Sequence, residues 1–390
     1  MTHDIWNITP EKLREYIKAK YKGRKGSIIV KGAIGIGKSS LVEQVARELC
    51  EEFNLQLVHL NEISDEEAYQ IYLDLQKRIQ RNLPPKYFVF WSVPLPNISV
   101  VDFLGKLCEG EDYVSWKPPI KIKLLQRAKH GIVFLDELNM VREQEVRHLA
   151  QRLLLDKEIG GMRNPNLLVI ACCNRATDTM HVEELGSRGK NRGCILEMEP
   201  YTIQQFASYI KNKYGQRFDY SVIGFLLSTS KQGYSPYFVT LDENEDILEN
   251  FATPRSWEAL GCDLYDCRGL GLDEPIARGH LGREIAIKFI AFRQIKPIPP
   301  KDLMKKPELL ETVKPEVAIY SIIVLGEGVN QGNFDLKDIK KVIRWLVFNN
   351  RSYLMMLLTV LDRKYNREII QDFTWDKEVW KQIEKMIQYF

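Results

Sequence analysis

The feature that most constrains this chain is the segment 32–39, GAIGIGKS, set between a short apolar run at 27–31 and an amphipathic stretch at about 38–53. A glycine-rich turn that leaves a strand and opens a helix gathers backbone N–H groups around one point, and the helix start adds its dipole. Such a turn is built to hold an anion. Gly32, Gly35 and Gly37 stand where a side chain would block a phosphate, and the loop from Gly32 through Ile36 to Ser40 is expected to line the bound group. Lys38 can reach the β- and γ-phosphates of a nucleotide, and the Ser39 hydroxyl suits Mg²⁺. The plainer alternative is a glycine-rich turn with a surface lysine.

A chain of 390 residues is too long for one ordinary core, so two or three packed units are expected. The strand and helix signals alternate along its first half. Residues 10–21 read as a charged helix with a Thr9-Pro10 start, and 27–31, 55–60, 87–93, 131–135 and 167–173 read as strands. Helices are expected at 38–53 and 65–81. Alternation of this kind needs crossover connections, and so a parallel sheet of the α/β class. Beyond residue 200 helical periodicity takes over. The expected divisions are 1–200 as an α/β nucleotide-binding domain, 201–300 as a helical lid and 301–390 as its helical C-terminal extension. The prolines of QIKPIPPK at 294–301 mark an ordered connection, 317–325 and 336–362 read as helical, and Trp375, Trp380, Tyr389 and Phe390 close the chain.

Composition narrows the function by exclusion. A net charge of +3 is too small to argue for nucleic acid by itself. No apolar run approaches a bilayer span, and MTHDIWNITPEKLREY lacks the basic start and apolar stretch of a signal peptide, so a cytoplasmic protein without membrane association is expected. The seven cysteines include no CxxC pair and are expected to be reduced and mostly buried, with Cys172 and Cys173 on opposite faces of a strand.

The run IVFLDE at 132–137 buries a strand and delivers Asp136 and Glu137 at its C-terminal end, the edge where parallel sheets bind ligands. Asp136 suits Mg²⁺, and Glu137 suits the polarisation of an attacking water in phosphoryl transfer. A strand ending in Asp-Glu is also a common helix start. A second buried run, LLVIACC at 167–173, ends in Asn174, which can bond a lytic water and a phosphate oxygen; alone, an asparagine there is more often a turn residue. Arg188 and Arg192 lie in a glycine-rich stretch, and Arg255 falls in the first turn of a helix beginning TPRSWE. Arginine stabilises charge on a transferring phosphoryl group, although each of these three also fits a surface ion pair.

In this order, phosphate loop, Asp-Glu strand, Asn-tipped strand, arginine loop and Pro-Arg helix, the chain resembles the AAA+ ATPases, and more narrowly their MoxR and dynein-related branch. PPIKIKLLQRAKHGIVFLDELNMV, ATPRSWEAL and GREIAIKFIAFR are similar to family segments, and the resemblance covers about 27–293. It implies Lys38 and Ser39 as Walker A, Asp136 and Glu137 as Walker B, Asn174 as sensor 1, Arg255 as sensor 2, and Arg188 or Arg192, with Arg188 favoured, as a finger acting in a neighbouring subunit. Asn61 would restrain the Walker B Glu137. The resemblance further implies ATP and Mg²⁺ as cofactors, a homo-oligomeric ring, most often a hexamer, and a remodelled protein partner. A nucleic-acid-linked motor resembling the McrB branch, in which GTP could replace ATP, is the alternative, and Lys117, Lys121 and Lys123 would then lie near a ring pore, although a solvated basic helix face is the plainer reading of these lysines. A slow nucleotide switch is a third reading.

Overall fold

Runs of β-branched and aromatic residues bounded by turn signals become parallel strands here, because the helices between them return the chain to the same edge of the sheet each time. A computed structural model describes residues 7–23, 26–110, 114–174, 193–239 and 251–373. The chain divides into two compact units, Met1–Pro200 and Tyr201–Phe390.

In the first unit the order is β1 (Asn7–Ile8), α1 (Pro10–Gly23), β2 (Ile28–Lys31), α2 (Lys38–Glu52), β3 (Gln56–His59), α3 (Asp65–Gln80), β4 (Tyr87–Pro94), α4 (Val100–Leu104), β5 (Lys106–Glu109), β6 (Val114–Lys117), α5 (Ile120–Arg127) and β7 (Gly131–Asp136). It continues with α6 (Gln144–Asp156), β8 (Glu158–Ile159), β9 (Met162–Arg163), β10 (Leu167–Cys173) and β11 (Cys194–Met198). Among the described residues seven strands form one sheet in the order β1-β11-β2-β10-β7-β4-β3, every pair parallel. The fold is a parallel-sheet α/β domain followed by a helical unit.

Strand alternation divides the core between the two faces of the sheet. Val133 and Leu135 of β7, Val169 and Ala171 of β10 and Val89, Trp91 and Val93 of β4 pack with Leu124, Leu125, Val146, Leu153 and Leu154 from α5 and α6. The intervening Ile132, Phe134, Ile170 and Phe90 are fully buried, and α2 packs against β3, β4 and β7. Each such side chain contributes roughly 1.5–3 kcal/mol of burial. Tyr21 at the end of α1 hydrogen-bonds His130 Nδ1 at 2.8 Å just before β7, tying that helix to the sheet.

Two short hairpins lie outside the sheet. β5 and β6 pair antiparallel with Leu107 and Trp116 both exposed, and β8 pairs β9 across Gly160 and Gly161. The second is held to α5, since Gln126 donates to the carbonyls of Ile159 and Gly160 at 3.0 and 2.9 Å.

The second unit is helical. Residues 201–300 and 301–390, separate regions in the sequence reading, share a single core in their described parts. The reason is contact: helix Pro315–Asn330 packs on Ser221–Ser228, and helix Arg351–Val360 packs on Ile203–Tyr214. Trp257, Phe225 and Phe289 sit at the centre with ring centroids 5.6–5.8 Å apart. Among the described residues no helix is long and apolar enough to cross a membrane.

Candidate functional site

Parallel pairing puts the C-terminal ends of β2, β7 and β10 on one edge of the sheet, and the expected site residues meet there because β10 lies between β2 and β7. The register places Cys173 opposite Lys31 and Ala171 opposite Leu135.

The glycine-rich loop joins β2 to α2. Gly35 and Gly37 have φ of 73° and 90°, a region that side chains with a Cβ adopt at a cost, and Gly37 is the N-terminal cap of α2 with no side chain to cap it. The first N–H groups of α2 are thus left to face an anion. A Cβ on Gly32 would lie 2.7 Å from Ile36 Cδ1, so the buried Ile36 side chain closes over the glycine and fixes the loop. Lys38 is buried, and its ammonium donates to the carbonyls of Gly32 and Ala33 at 2.7 and 2.8 Å and to Asn174 Oδ1 at 3.2 Å. The charge is held inside the loop it serves. Ser40, the third residue of α2, is exposed.

Ser39 Oγ donates to Asp136 Oδ2 at 2.8 Å, and Asp136 Oδ1 accepts from the Glu137 main-chain N–H at 3.0 Å. Both oxygens of the carboxylate are therefore oriented. Ser39 and Asp136 present hard oxygens side by side, the donor set of Mg²⁺, an ion that takes one or two protein ligands and completes its shell with phosphate and water. Among the described residues no group of three or more His, Cys, Asp or Glu offers a self-sufficient metal cage.

Glu137 turns the chain with φ of 55°, in the left-handed region, directly after β7. Its side chain is exposed and lines a cavity of about 360 Å³ with Leu95, Pro96, Ile98, Met140, Val141, Arg142 and Glu143. The carboxylate is open to water.

Asn139 was passed over in the sequence. It follows Glu137 by two positions in the turn Leu138–Met140, and its side chain donates to the Asn174 carbonyl at 2.9 Å and accepts from the Asn174 N–H at 3.1 Å. Its only sequence signal is an asparagine close behind the two carboxylates. Cys172 and Cys173, just before Asn174, are buried; burial holds the Cys172 thiol well above its ordinary value and pushes Cys173 up to about 12. Neither is a nucleophile at neutral pH. Cysteine burial is less general than expected: Cys194 is exposed, and Cys108, Cys262 and Cys267 are half-buried.

Asn61 departs from the sequence expectation. Its amide donates to the Ser92 carbonyl at 2.8 Å and accepts from the Ser92 N–H at 3.1 Å. β3 is the edge strand and β4 separates it from β7, so the tip of β3 engages β4 and not Glu137. Arg255 is exposed in the first turn of helix Pro254–Asp266, whose start is fixed by Thr253 Oγ1 accepting from the Ser256 N–H at 3.1 Å; it belongs to the second unit. Arg188 and Arg192 lie outside the described residues.

Residues 28–188 match the family described as "ATPase family associated with various cellular activities (AAA)". The match begins at the first residue of β2, takes in the loop, Asp136, Glu137 and Asn174, and ends at Arg188. No curated protein matches the chain. Among solved structures, AMPPCP-bound DnaA from Aquifex aeolicus is 12% identical over 95% of this chain and 93% of its own, with a TM-score of 0.33. The Aeropyrum pernix ORC2 protein is 11% identical over 96% and 93%, with a TM-score of 0.34. C. elegans PCH-2 is 12% identical over 83% and 68%, with a TM-score of 0.25. None of the three superposes well enough to bear on mechanism.

Proposed function

From the premise that this chain carries an AAA ATPase domain and is a P-loop nucleoside-triphosphate hydrolase, we propose that it hydrolyses Mg·ATP at the interfaces of a homo-oligomeric ring and uses the cycle to remodel a protein partner, in the manner of the MoxR branch. The observation that carries the hydrolytic reading is the convergence of Lys38, Ser39, Asp136 and Asn174 through two direct contacts at 3.2 and 2.8 Å, with Glu137 one residue beyond.

In this reading the loop N–H groups and the start of α2 bind the phosphates. Lys38 places its charge on the β- and γ-phosphates, and Asn174 orients a γ-phosphate oxygen or the water beside it. Ser39 and Asp136 hold Mg²⁺, which when bound neutralises developing charge on the phosphates. Glu137 orients the attacking water and accepts its proton as the water attacks phosphorus and the bond to the ADP oxygen breaks. Arg255, and Arg188 or Arg192 from a neighbouring subunit, supply further positive charge. The second unit is the element that moves with the cycle.

Steady-state turnover with size measurement tests the reading. Lys38→Ala is expected to lose ATP binding or turnover, and Glu137→Gln to keep ATP binding while turnover falls at least a hundredfold. An active Glu137→Gln chain would remove Glu137 from the mechanism, and a monomer with undiminished turnover would remove the ring. One observation favours the nucleic-acid alternative: Lys106 and Lys117 are exposed and directly opposed in the β5–β6 hairpin. Like charges so placed repel, and an anionic partner relieves them. Salt-sensitive stimulation of turnover by DNA would shift the assignment to that reading.

A further inference from the structure

The ladder between β7 and β10 ends at Ala171 opposite Leu135, three residues before Asn174. On its other side β10 stays paired with β2 as far as Cys173. Past that point the chain at Asn174 has lost a strand neighbour on the β7 side, because β7 has turned away through the left-handed Glu137. The Asn139 side chain fills that place. An amide carries one N–H face and one C=O face, as a peptide does, and Asn139 presents both to the main chain of Asn174 while only 7% of the residue is exposed.

We propose that Asn139 is a positioning residue: it extends the β7–β10 pairing by one side-chain rung and thereby aims the Asn174 side chain at Lys38. The aim is visible in the contact of Asn174 Oδ1 with Lys38 Nζ at 3.2 Å. The rung and Glu137 share one turn, so the group that orients water and the group that reads the γ-phosphate are fixed to each other rather than to separate loops. The inference deepens the ATPase reading and rests on it for its kinetic part.

Asn139→Asp is nearly isosteric and keeps the acceptor for the Asn174 N–H, but sets a carboxylate oxygen against the Asn174 carbonyl. Its kcat is expected to fall at least tenfold with the KM for ATP changed less than about threefold, the pattern of a group that matters in the transition state. Asn174→Ala removes the aimed side chain and leaves its main chain in place. If Asn139 acts through Asn174, the double variant turns over within twofold of Asn174→Ala alone; multiplied losses would mean that Asn139 acts independently, and would overturn the proposal. Wild-type kcat in Asn139→Asp would also overturn it.

Hydrogen exchange at the Asn174 amide gives a second readout that needs no turnover. Exchange at least tenfold faster in Asn139→Ala, which removes the acceptor of that N–H, with the rest of β10 unchanged, is expected, and unchanged protection would sink the rung. A wild-type chain without turnover would defeat the ATPase reading, while the exchange result would still decide whether the rung exists. Should the buried carboxylate prevent folding, Asn139→Ser, neutral and smaller, carries the same measurements.

Discussion

Lys38 is bound by the loop that it serves, and this has a consequence for substitution. Its contacts with the Gly32 and Ala33 carbonyls stabilise the loop as well as the phosphate, so the lysine is pre-placed rather than recruited. The backbone carries the same burden at Gly37, where φ is 90° at the first turn of α2. Gly37→Ala forces a Cβ into that conformation at a cost of about 1–2 kcal/mol, or releases it by rotating the N–H groups away from the phosphates. Equilibrium binding of ATP is expected to weaken at least tenfold while the circular dichroism of the chain is kept; unchanged affinity would mean that the loop tolerates another conformation. These residues were legible in the sequence because the phosphate loop is local: glycines, lysine and serine act through bonds that the neighbouring backbone defines. Asn61 was misread for the converse reason, since its partner depends on which strand lies beside β3.

At the scale of elements, buried strands were the easiest to read. The runs at 87–93, 131–135 and 167–173 became β4, β7 and β10 with ends moved by at most one residue. Short strands at one margin of the sheet left no pattern: the edge strand β1 has two residues, and its neighbour β11 is half-buried along much of its length, so neither shows an alternation. The stretch 336–362 reads as helical, yet it is split at Asn350, whose Oδ1 accepts from the Tyr353 N–H at 3.1 Å and caps a second helix. Capping also yields an element-level test. Ser64 and Glu67 form a reciprocal box at the start of α3, with the Glu67 N–H to Ser64 Oγ at 3.2 Å and the Ser64 N–H to Glu67 Oε2 at 2.9 Å. Ser64→Ala should cost about 1 kcal/mol. That corresponds to roughly 2–4 °C in the melting temperature of a unit this size. Since α3 packs on α5 and both Ser64 and Glu67 are exposed, turnover is expected to stay within twofold, and a large kinetic loss would show that α3 is part of the cycle.

At the scale of the whole molecule, the two units differ in what holds them. The first is organised by a sheet whose edge carries chemistry, the second by a helical core that, among its described residues, buries two charged groups, Asp219, which pairs with Arg293 at 3.0 Å, and Lys211. Lys211 is 4% exposed and donates to the Leu358 carbonyl; burial, with added repulsion from Arg363, lowers its pKa to about 7. The unfolded lysine titrates near 10.5, so between pH 7 and 10.5 the unfolded chain binds a proton that the folded chain does not. Stability therefore rises with pH across that window, and the full cost of the buried charge is present below pH 7. Lys211→Met removes the charge while Leu358 keeps the Asn366 amide at 3.0 Å. Thermal unfolding should show the variant gaining most over wild type at or below pH 7 and least near pH 10, and parallel pH profiles would exclude Lys211 as the source.

What the sequence by itself determined is the chemistry held within short spans: the phosphate loop, the Asp136 and Glu137 pair, the Asn174 tip and the α/β pattern that sets them at strand ends. Local geometry is enough for these, because a glycine turn or a strand terminus dictates its own hydrogen bonds. The tertiary structure alone decided that β10 enters between β2 and β7, so that the last of the three motifs in the chain becomes the middle one in space. Only that insertion brings Asn174 to Lys38 and gives Asn139 a main chain to hold. The physical reason is that strand order is set by non-local pairing and by the burial of whole faces, to which no single segment contributes more than a share.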